Sequence, residues 1–169
     1  MYFLILGLPR SRTAWLANFL TYDGLFCYHE AINGCLNMDE YAEKVKGKGD
    51  SNTALALFDF EHMFPDAKII VVDSSIDAAV TFGFEQDLYI REAKTIEKER
   101  LYSIDGLHID INEIDDRLEE IWTYVTNIPF DNERAEMLKN LNVQIENVDH
   151  IDMTAMAKFM RAENGYLTH

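Results

Sequence analysis

Four residues with charged or hydroxyl side chains lie side by side near the start of the chain: Arg10, Ser11, Arg12 and Thr13. They follow the apolar run "FLILG" and precede "AWLANFL", whose apolar residues have helical spacing. This order predicts a loop between a buried strand and a helix. Backbone N–H groups and the positive end of the helix dipole meet at such a loop, where phosphate and sulfate groups bind. Because arginines add full charge and paired donors, the loop is predicted to bind an anion.

The acidity of the chain makes this placement of arginines informative. The 169 residues include 15 Lys or Arg and 30 Asp or Glu, for a formal net charge of −15. Nucleic acids bind proteins through many basic residues, and acidic membrane surfaces attract them in the same way. The sequence therefore predicts neither nucleic acid nor membrane as a partner. A small anionic nucleotide remains compatible with positive charge that is concentrated at Arg10 and Arg12.

Length, cysteine content and apolar runs predict the general class of protein. A chain of 169 residues is expected to form one domain over 1–169 with a core of its own. No apolar run reaches the 18 residues of a membrane span, and no Cys and His spacing predicts a metal site. Two cysteines, Cys27 and Cys35, favour free thiols in a cytoplasmic protein over a disulfide framework.

The order of strand and helix signals predicts the fold class. Strands are predicted in four β-prone runs: 2–6, 25–31, 67–73 and 142–149. Helices are predicted in seven further segments: 12–22 with Ser11 or Thr13 as the cap, 38–47, the second half of 53–64, 74–84, most of 85–127, 132–141 and 151–160. The segment 47–52 is interpreted as a loop. Asp50, Ser51 and Asn52 in it could reach the ligand-binding edge of the sheet, but a solvated turn is favoured. Strands that alternate with helices are typical of an α/β fold with a parallel sheet and helices on both faces.

Two segments resemble a known family. The run "GLPRSRTAWL" is similar to the 5′-phosphosulfate-binding loop of sulfotransferases, P-[KR]-S-G-T-T-[WL]-L. The matching residues are Pro9, Arg10, Ser11, Thr13, Trp15 and Leu16. Arg12 and Ala14 stand where glycine and a second threonine are usual. The run "FPDAKIIVVDSSIDAAVTF" resembles the family's P-x-A-K-x-I-x-x-x-R-[DN]-P-x-D-x-x-x-S segment. Its matching residues are Pro65, Ala67, Lys68, Ile70 and Asp77, with Thr81 in place of the serine.

This resemblance implies a P-loop NTPase-like three-layer sandwich and 3′-phosphoadenosine-5′-phosphosulfate (PAPS) as the sulfuryl donor. The residues implied in donor binding are Pro9, Arg10, Ser11, Arg12, Thr13, Ala14, Trp15, Asp73 and Thr81. Trp15 is open to two interpretations, adenine stacking or the core. The family has an arginine at the position of Asp73, where it holds the 3′-phosphate. A carboxylate there repels a phosphate, by up to about 4 kcal/mol per unit charge at about 4 Å.

The resemblance also implies catalytic roles. Arg10 would neutralise the charge that develops on the bridging oxygen, and Glu30 resembles a glutamate that serves as base in some sulfotransferases. His29 is an alternative base, since its unperturbed pKa lies near neutrality. The expected activity is transfer of a sulfuryl group from PAPS to an acceptor hydroxyl or amine. Three alternatives stay open: a non-catalytic nucleotide- or anion-binding module, a small nucleotide kinase despite the missing loop lysine, and an acidic surface for a basic partner.

Overall fold

The computed structural model describes residues 3–22, 24–33, 35–80 and 88–139. The described residues form five strands: β1 (Phe3–Gly7), β2 (Cys27–His29), β3 (Gly49–Asn52), β4 (Lys68–Asp73) and β5 (Leu107–Asp110). Their order across the sheet is β2-β3-β1-β4-β5, and every neighbouring pair is parallel. The predicted α/β fold with a parallel sheet is therefore confirmed.

The described residues also form six α-helices: α1 (Thr13–Phe19), α2 (Met38–Lys44), α3 (Ile76–Val80), α4 (Leu88–Ser103), α5 (Leu118–Val125) and α6 (Asn132–Lys139). Two short 3₁₀ helices lie at Leu55–Leu57 and Ile111–Asp116. Asn37 begins α2 by accepting a hydrogen bond from the backbone N–H of Glu40 through its side chain, a typical N-cap.

Helices cover both faces of the sheet because the central strand is apolar on both sides. Phe3 and Ile5 of β1 pack on one face with apolar residues of α1, α5 and α6. Leu4 and Leu6 alternate with them and pack on the other face with residues of α2, α3 and α4. A strand that is buried on both faces reads as a continuous apolar run, which is the pattern of "FLILG". The result is three layers, with the sheet in the middle.

The strand order creates a crevice at the carboxyl end of β1 and β4. The chain leaves β1 through α1 toward the β2 side of the sheet, whereas it leaves β4 toward β5 on the opposite side. In open α/β sheets, ligands bind where two such connections diverge. The β1–α1 loop (residues 8–12) and the residues that follow Asp73 lie at this crevice.

The prediction of a solvated loop at 47–52 is wrong, because Gly49–Asn52 forms β3 between β2 and β1. Asp50, Ser51 and Asn52 are all buried. No apolar residue marks this strand, so periodicity could not reveal it. Its polar side chains are buried with partners instead: Ser51 Oγ, for example, donates to the carbonyl of Thr13 at 2.8 Å.

Other boundaries also differ from prediction. The run predicted as mostly helical at 85–127 contains β5, whose four residues are too few to interrupt the surrounding helical pattern. The expected helix in the second half of 53–64 is absent: the described chain forms a 3₁₀ helix at Leu55–Leu57, in the first half, and only turns and irregular structure at 59–64. The strand expected at 142–149 and the helix expected at 151–160 lie outside the described residues.

Candidate functional site

Backbone strain is concentrated at the carboxyl edge of the sheet. Among the described residues, three that are not glycine have a positive φ: Arg10 (69°), Arg12 (60°) and Glu30 (56°). Arg10 and Arg12 lie in the β1–α1 loop, and Glu30 follows β2 at the same edge. The left-handed conformation costs an ordinary residue roughly 1–2 kcal/mol. Such residues persist where the surrounding structure imposes them, and they cluster at functional sites.

Ser11 lies between the two strained arginines and is fully buried. Its Oγ has no hydrogen-bond partner among the described residues. Gly7 makes room for it, because a Cβ on Gly7 would lie 2.5 Å from Ser11 Oγ and 3.1 Å from the carbonyl oxygen of Val72. The predicted helix cap is wrong: the N-cap of α1 is Arg12, and no side chain caps it. The Ser11 hydroxyl is thus left for another partner.

Arg12 and Trp15 contact each other. The guanidinium of Arg12 lies 4.6 Å from the centre of the Trp15 ring and pairs with Oδ1 of Asp115 at 2.8 Å. Trp15 is 5% exposed, stacks on Phe19 with ring centres 5.4 Å apart, and donates from Nε1 to the carbonyl of Leu138. This packing favours the core interpretation of Trp15 over adenine stacking.

The remaining residues implied for the loop differ in exposure. Pro9, Arg10 and Ala14 are partly exposed, whereas Thr13 is buried in the first turn of α1. Arg10 therefore places a partly exposed cationic residue next to Ser11 in the chain.

Glu30 is held in place across the ends of two strands. Its backbone N–H donates to the carbonyl of Ser51 at 2.8 Å, and its Oε1 accepts from the backbone N–H of Thr53 at 2.9 Å. His29, the alternative base, is exposed at the end of β2. A hydrogen bond to one carboxylate oxygen fixes the side chain and leaves the other oxygen to accept a proton or a ligand.

Asp50 in β3 supports the segment that carries Glu30, whereas the sequence favoured a solvated turn at this residue. Its carboxylate accepts hydrogen bonds from the Tyr41 hydroxyl at 2.8 Å, Asn52 Nδ2 at 3.0 Å and the Ala31 backbone N–H at 3.1 Å. Burial raises the pKa of Asp50 to about 6, although these hydrogen bonds favour the charged form. Asp50 thus connects β3 and α2 to the residue that follows Glu30.

Asp73 ends β4 and is paired with residues of α4. Its Oδ1 lies 2.7 Å from Lys98 Nζ, and its Oδ2 accepts from the Tyr102 hydroxyl at 2.6 Å. Partial burial opposes ionisation, but the hydrogen bonds from Lys98 and Tyr102 hold the pKa of Asp73 below its ordinary value. Lys98 also donates to the carbonyl of Ser74 at 2.7 Å. Neither α4 residue could be assigned to this edge from its own sequence context.

No family model, no curated protein and no solved structure matches the chain. The sulfotransferase resemblance therefore depends on the two sequence segments quoted above. Thr81, which the resemblance implies in donor binding, lies outside the described residues.

The described residues were compared with two further kinds of site, a metal-ligand cluster and a membrane-spanning helix. In the part of the chain that the structure describes, no group of three or more His, Cys, Asp or Glu side chains is arranged to hold a metal ion. No helix within those same ranges has the length and apolar character needed to cross a membrane. Cys27 and Cys35 are both free thiols.

Proposed function

We propose that the carboxyl edge of this sheet binds the phosphosulfate group of PAPS and that the protein transfers the sulfuryl group to a hydroxyl or amine. The observation that carries the proposal is the strain at Arg10, Arg12 and Glu30. These are the residues that the sulfotransferase resemblance places beside the donor and the acceptor. Strain that coincides with them supports a shared functional edge.

The β1–α1 loop is suited to an anionic group. Left-handed residues that alternate with a residue of negative φ turn backbone N–H groups toward one side, which makes a concavity for anions. The buried Ser11 hydroxyl has no partner among the described residues and fits an anionic oxygen. Arg10 adds a partly exposed guanidinium at the same loop. These three features are the proposed donor-binding group.

PAPS would supply a sulfur atom that is open to attack and a phosphate leaving group. Arg10 would stabilise the negative charge on the oxygen that leaves sulfur with the electron pair of the broken bond. Glu30 would take the proton from the attacking acceptor group, because the Thr53 N–H holds one of its oxygens and orients the carboxylate. Positioning and electrostatics would then carry most of the catalysis, as in phosphoryl transfer.

The second candidate is an anion- or nucleotide-binding module without transfer activity. Its supporting observation is that Arg12 is paired with Asp115 and that Trp15 is buried, so both are engaged elsewhere.

Measurements of binding and of transfer separate the two candidates. Transfer of radiolabelled sulfur from PAPS to a panel of alcohols and amines is expected for the enzyme. Binding of PAPS without any transfer favours the module, and tighter binding of ATP than of PAPS favours the nucleotide kinase.

A further inference from the structure

Tyr102 of α4 exposes an aromatic ring beside the carboxyl end of β4. The residue is 53% exposed, although aromatic side chains usually bury most of their surface. A small cavity of about 10 Å³, about the space of one water molecule, is bordered by Leu8, Asp73 and Tyr102, among other residues. Leu8 is the first residue of the β1–α1 loop. Tyr102 and the candidate donor-binding loop therefore adjoin the same cavity.

Polar contacts hold the ring of Tyr102 in a fixed position. Its hydroxyl donates to Oδ2 of Asp73 at 2.6 Å, and Lys98 Nζ lies 5.4 Å from the centre of the ring, within the range of a cation–π interaction. Lys98 Nζ also pairs with Oδ1 of Asp73 at 2.7 Å. A ring that is already ordered loses little conformational freedom when a ligand stacks on it. The half-exposed ring is therefore a preorganised surface for a flat group.

We propose that Tyr102 stacks against the base of the nucleotide whose anionic end binds at the β1–α1 loop. This inference rests on the proposed function, because it assigns a second part of the same ligand. Trp15, the aromatic residue that the sulfotransferase resemblance implies for this role, is 5% exposed and packs in the core. Of the large apolar side chains that the described residues expose, Tyr102 is the one that borders the cavity beside the loop.

The charges around Tyr102 favour a neutral flat group over a second anion. Asp73 and Lys98 neutralise each other in their ion pair, so the net charge beside the ring is close to zero. The face of an aromatic ring carries partial negative charge, which repels an anion but accepts another ring in an offset stack. Stacking tolerates any base, because every base has a π face. Tyr102 thus adds affinity for nucleotides in general and does not by itself select adenine.

The test compares two ligands that share a phosphate and differ in the base. Calorimetric titration measures the affinities of adenosine 5′-phosphate and ribose 5-phosphate for the full-length wild type and three variants. Tyr102→Phe keeps the ring and removes the hydroxyl, Tyr102→Leu removes the ring, and Phe58→Leu removes an exposed ring elsewhere. We expect the wild type to bind adenosine 5′-phosphate about tenfold more tightly than ribose 5-phosphate. Tyr102→Phe and Phe58→Leu should keep most of this ratio, whereas Tyr102→Leu should bind the two ligands equally.

Three results would overturn the inference alone: equal affinity of the wild type for both ligands, an unchanged ratio in Tyr102→Leu, or an equal loss in Tyr102→Phe and Tyr102→Leu. Failure of the wild type to bind either ligand would overturn the donor site as well. Tyr102→Leu is expected to fold, because Tyr102 is half exposed. If it does not fold, NMR of the wild type decides. Nuclear Overhauser effects between the base protons of bound adenosine 5′-phosphate and the ring protons of Tyr102 are expected, and their absence would overturn the inference.

Discussion

Lys98 Nζ lies 2.7 Å from Oδ1 of Asp73, so a cation from α4 pairs with the carboxylate that ends β4. The Tyr102 hydroxyl donates to the other oxygen of the same carboxylate at 2.6 Å. This pairing explains how an acidic residue is accommodated at a position where the sulfotransferase resemblance expects an arginine. The ion pair leaves the end of β4 close to neutral rather than negative. The positive charge of Lys98 is already paired with Asp73.

Asp73→Asn is expected to create a preference for a 3′-phosphate. The substitution removes a carboxylate that repels phosphate and releases Lys98 to bind it. The ratio of affinities for 3′-phosphoadenosine 5′-phosphate and adenosine 5′-phosphate should rise by about tenfold, which corresponds to about 1.4 kcal/mol. Calorimetric titration measures both affinities. Asp77→Asn is the control, since Asp77 is an exposed aspartate that pairs with Arg91. A strong preference already present in the wild type would show that other groups hold the 3′-phosphate.

Arg10→Gly is expected to be more stable than Arg10→Ala by about 1 kcal/mol, because alanine keeps the cost of a positive φ and glycine does not. Both variants lose the guanidinium, so their difference reports the backbone alone. Urea unfolding measures the two free energies. Both variants should also lose sulfate affinity, while Arg100→Ala on α4 should retain it. Equal stability of the two Arg10 variants would argue against strain at this residue.

Glu30→Gln is expected to lower turnover by about a hundredfold or more, with donor affinity unchanged, once an acceptor has been found. The amide oxygen can still accept from the Thr53 N–H, so the side chain keeps its position while it loses its basicity. Initial rates and donor titrations separate the two effects. His29→Asn should retain activity, since His29 is exposed at the end of β2. Full activity in Glu30→Gln would move the base to His29 or elsewhere.

Asp50 is expected to make the protein less stable as the pH rises from about 4 to 7. Its pKa is about 6 in the folded protein and 3.8 in an unperturbed aspartate, so the folded state binds more protons than the unfolded state within this window. Stability from this group is therefore fully present below about pH 4 and is lost as the pH rises through about 6. The free energy of unfolding should fall by up to about 3 kcal/mol, because a tenfold difference in proton affinity corresponds to about 1.4 kcal/mol.

Urea unfolding of the wild type and Asp50→Asn at several pH values measures this contribution. Glu97 also has a raised pKa, and its contribution cancels in the difference between the two proteins. The free energy of unfolding of the wild type, relative to that of Asp50→Asn, should fall as the pH rises from about 4 to about 7. A difference that is constant between about pH 4 and pH 7 would mean that Asp50 titrates near its ordinary value.

The elements that sequence could predict are those whose apolar pattern matches their burial. The runs at β1 and β4 are apolar and buried, and the arginine loop follows directly from the first of them. β3 was missed because "GDSN" is buried through hydrogen bonds rather than apolar contact. Lys98 and Tyr102 were missed for a different reason: they reach Asp73 at the end of β4 through the packing of α4, which local sequence does not specify.

The central claim is that the β1–α1 loop binds the anionic end of a nucleotide. The most direct measurement is calorimetric titration of the wild type and Arg10→Ala with 3′-phosphoadenosine 5′-phosphate, the desulfated product of PAPS. Arg10 is partly exposed, so circular dichroism should show that the variant remains folded. We expect saturable binding to the wild type and at least tenfold weaker binding to Arg10→Ala. Equal affinity of the two proteins, or no binding to the wild type, would contradict the claim.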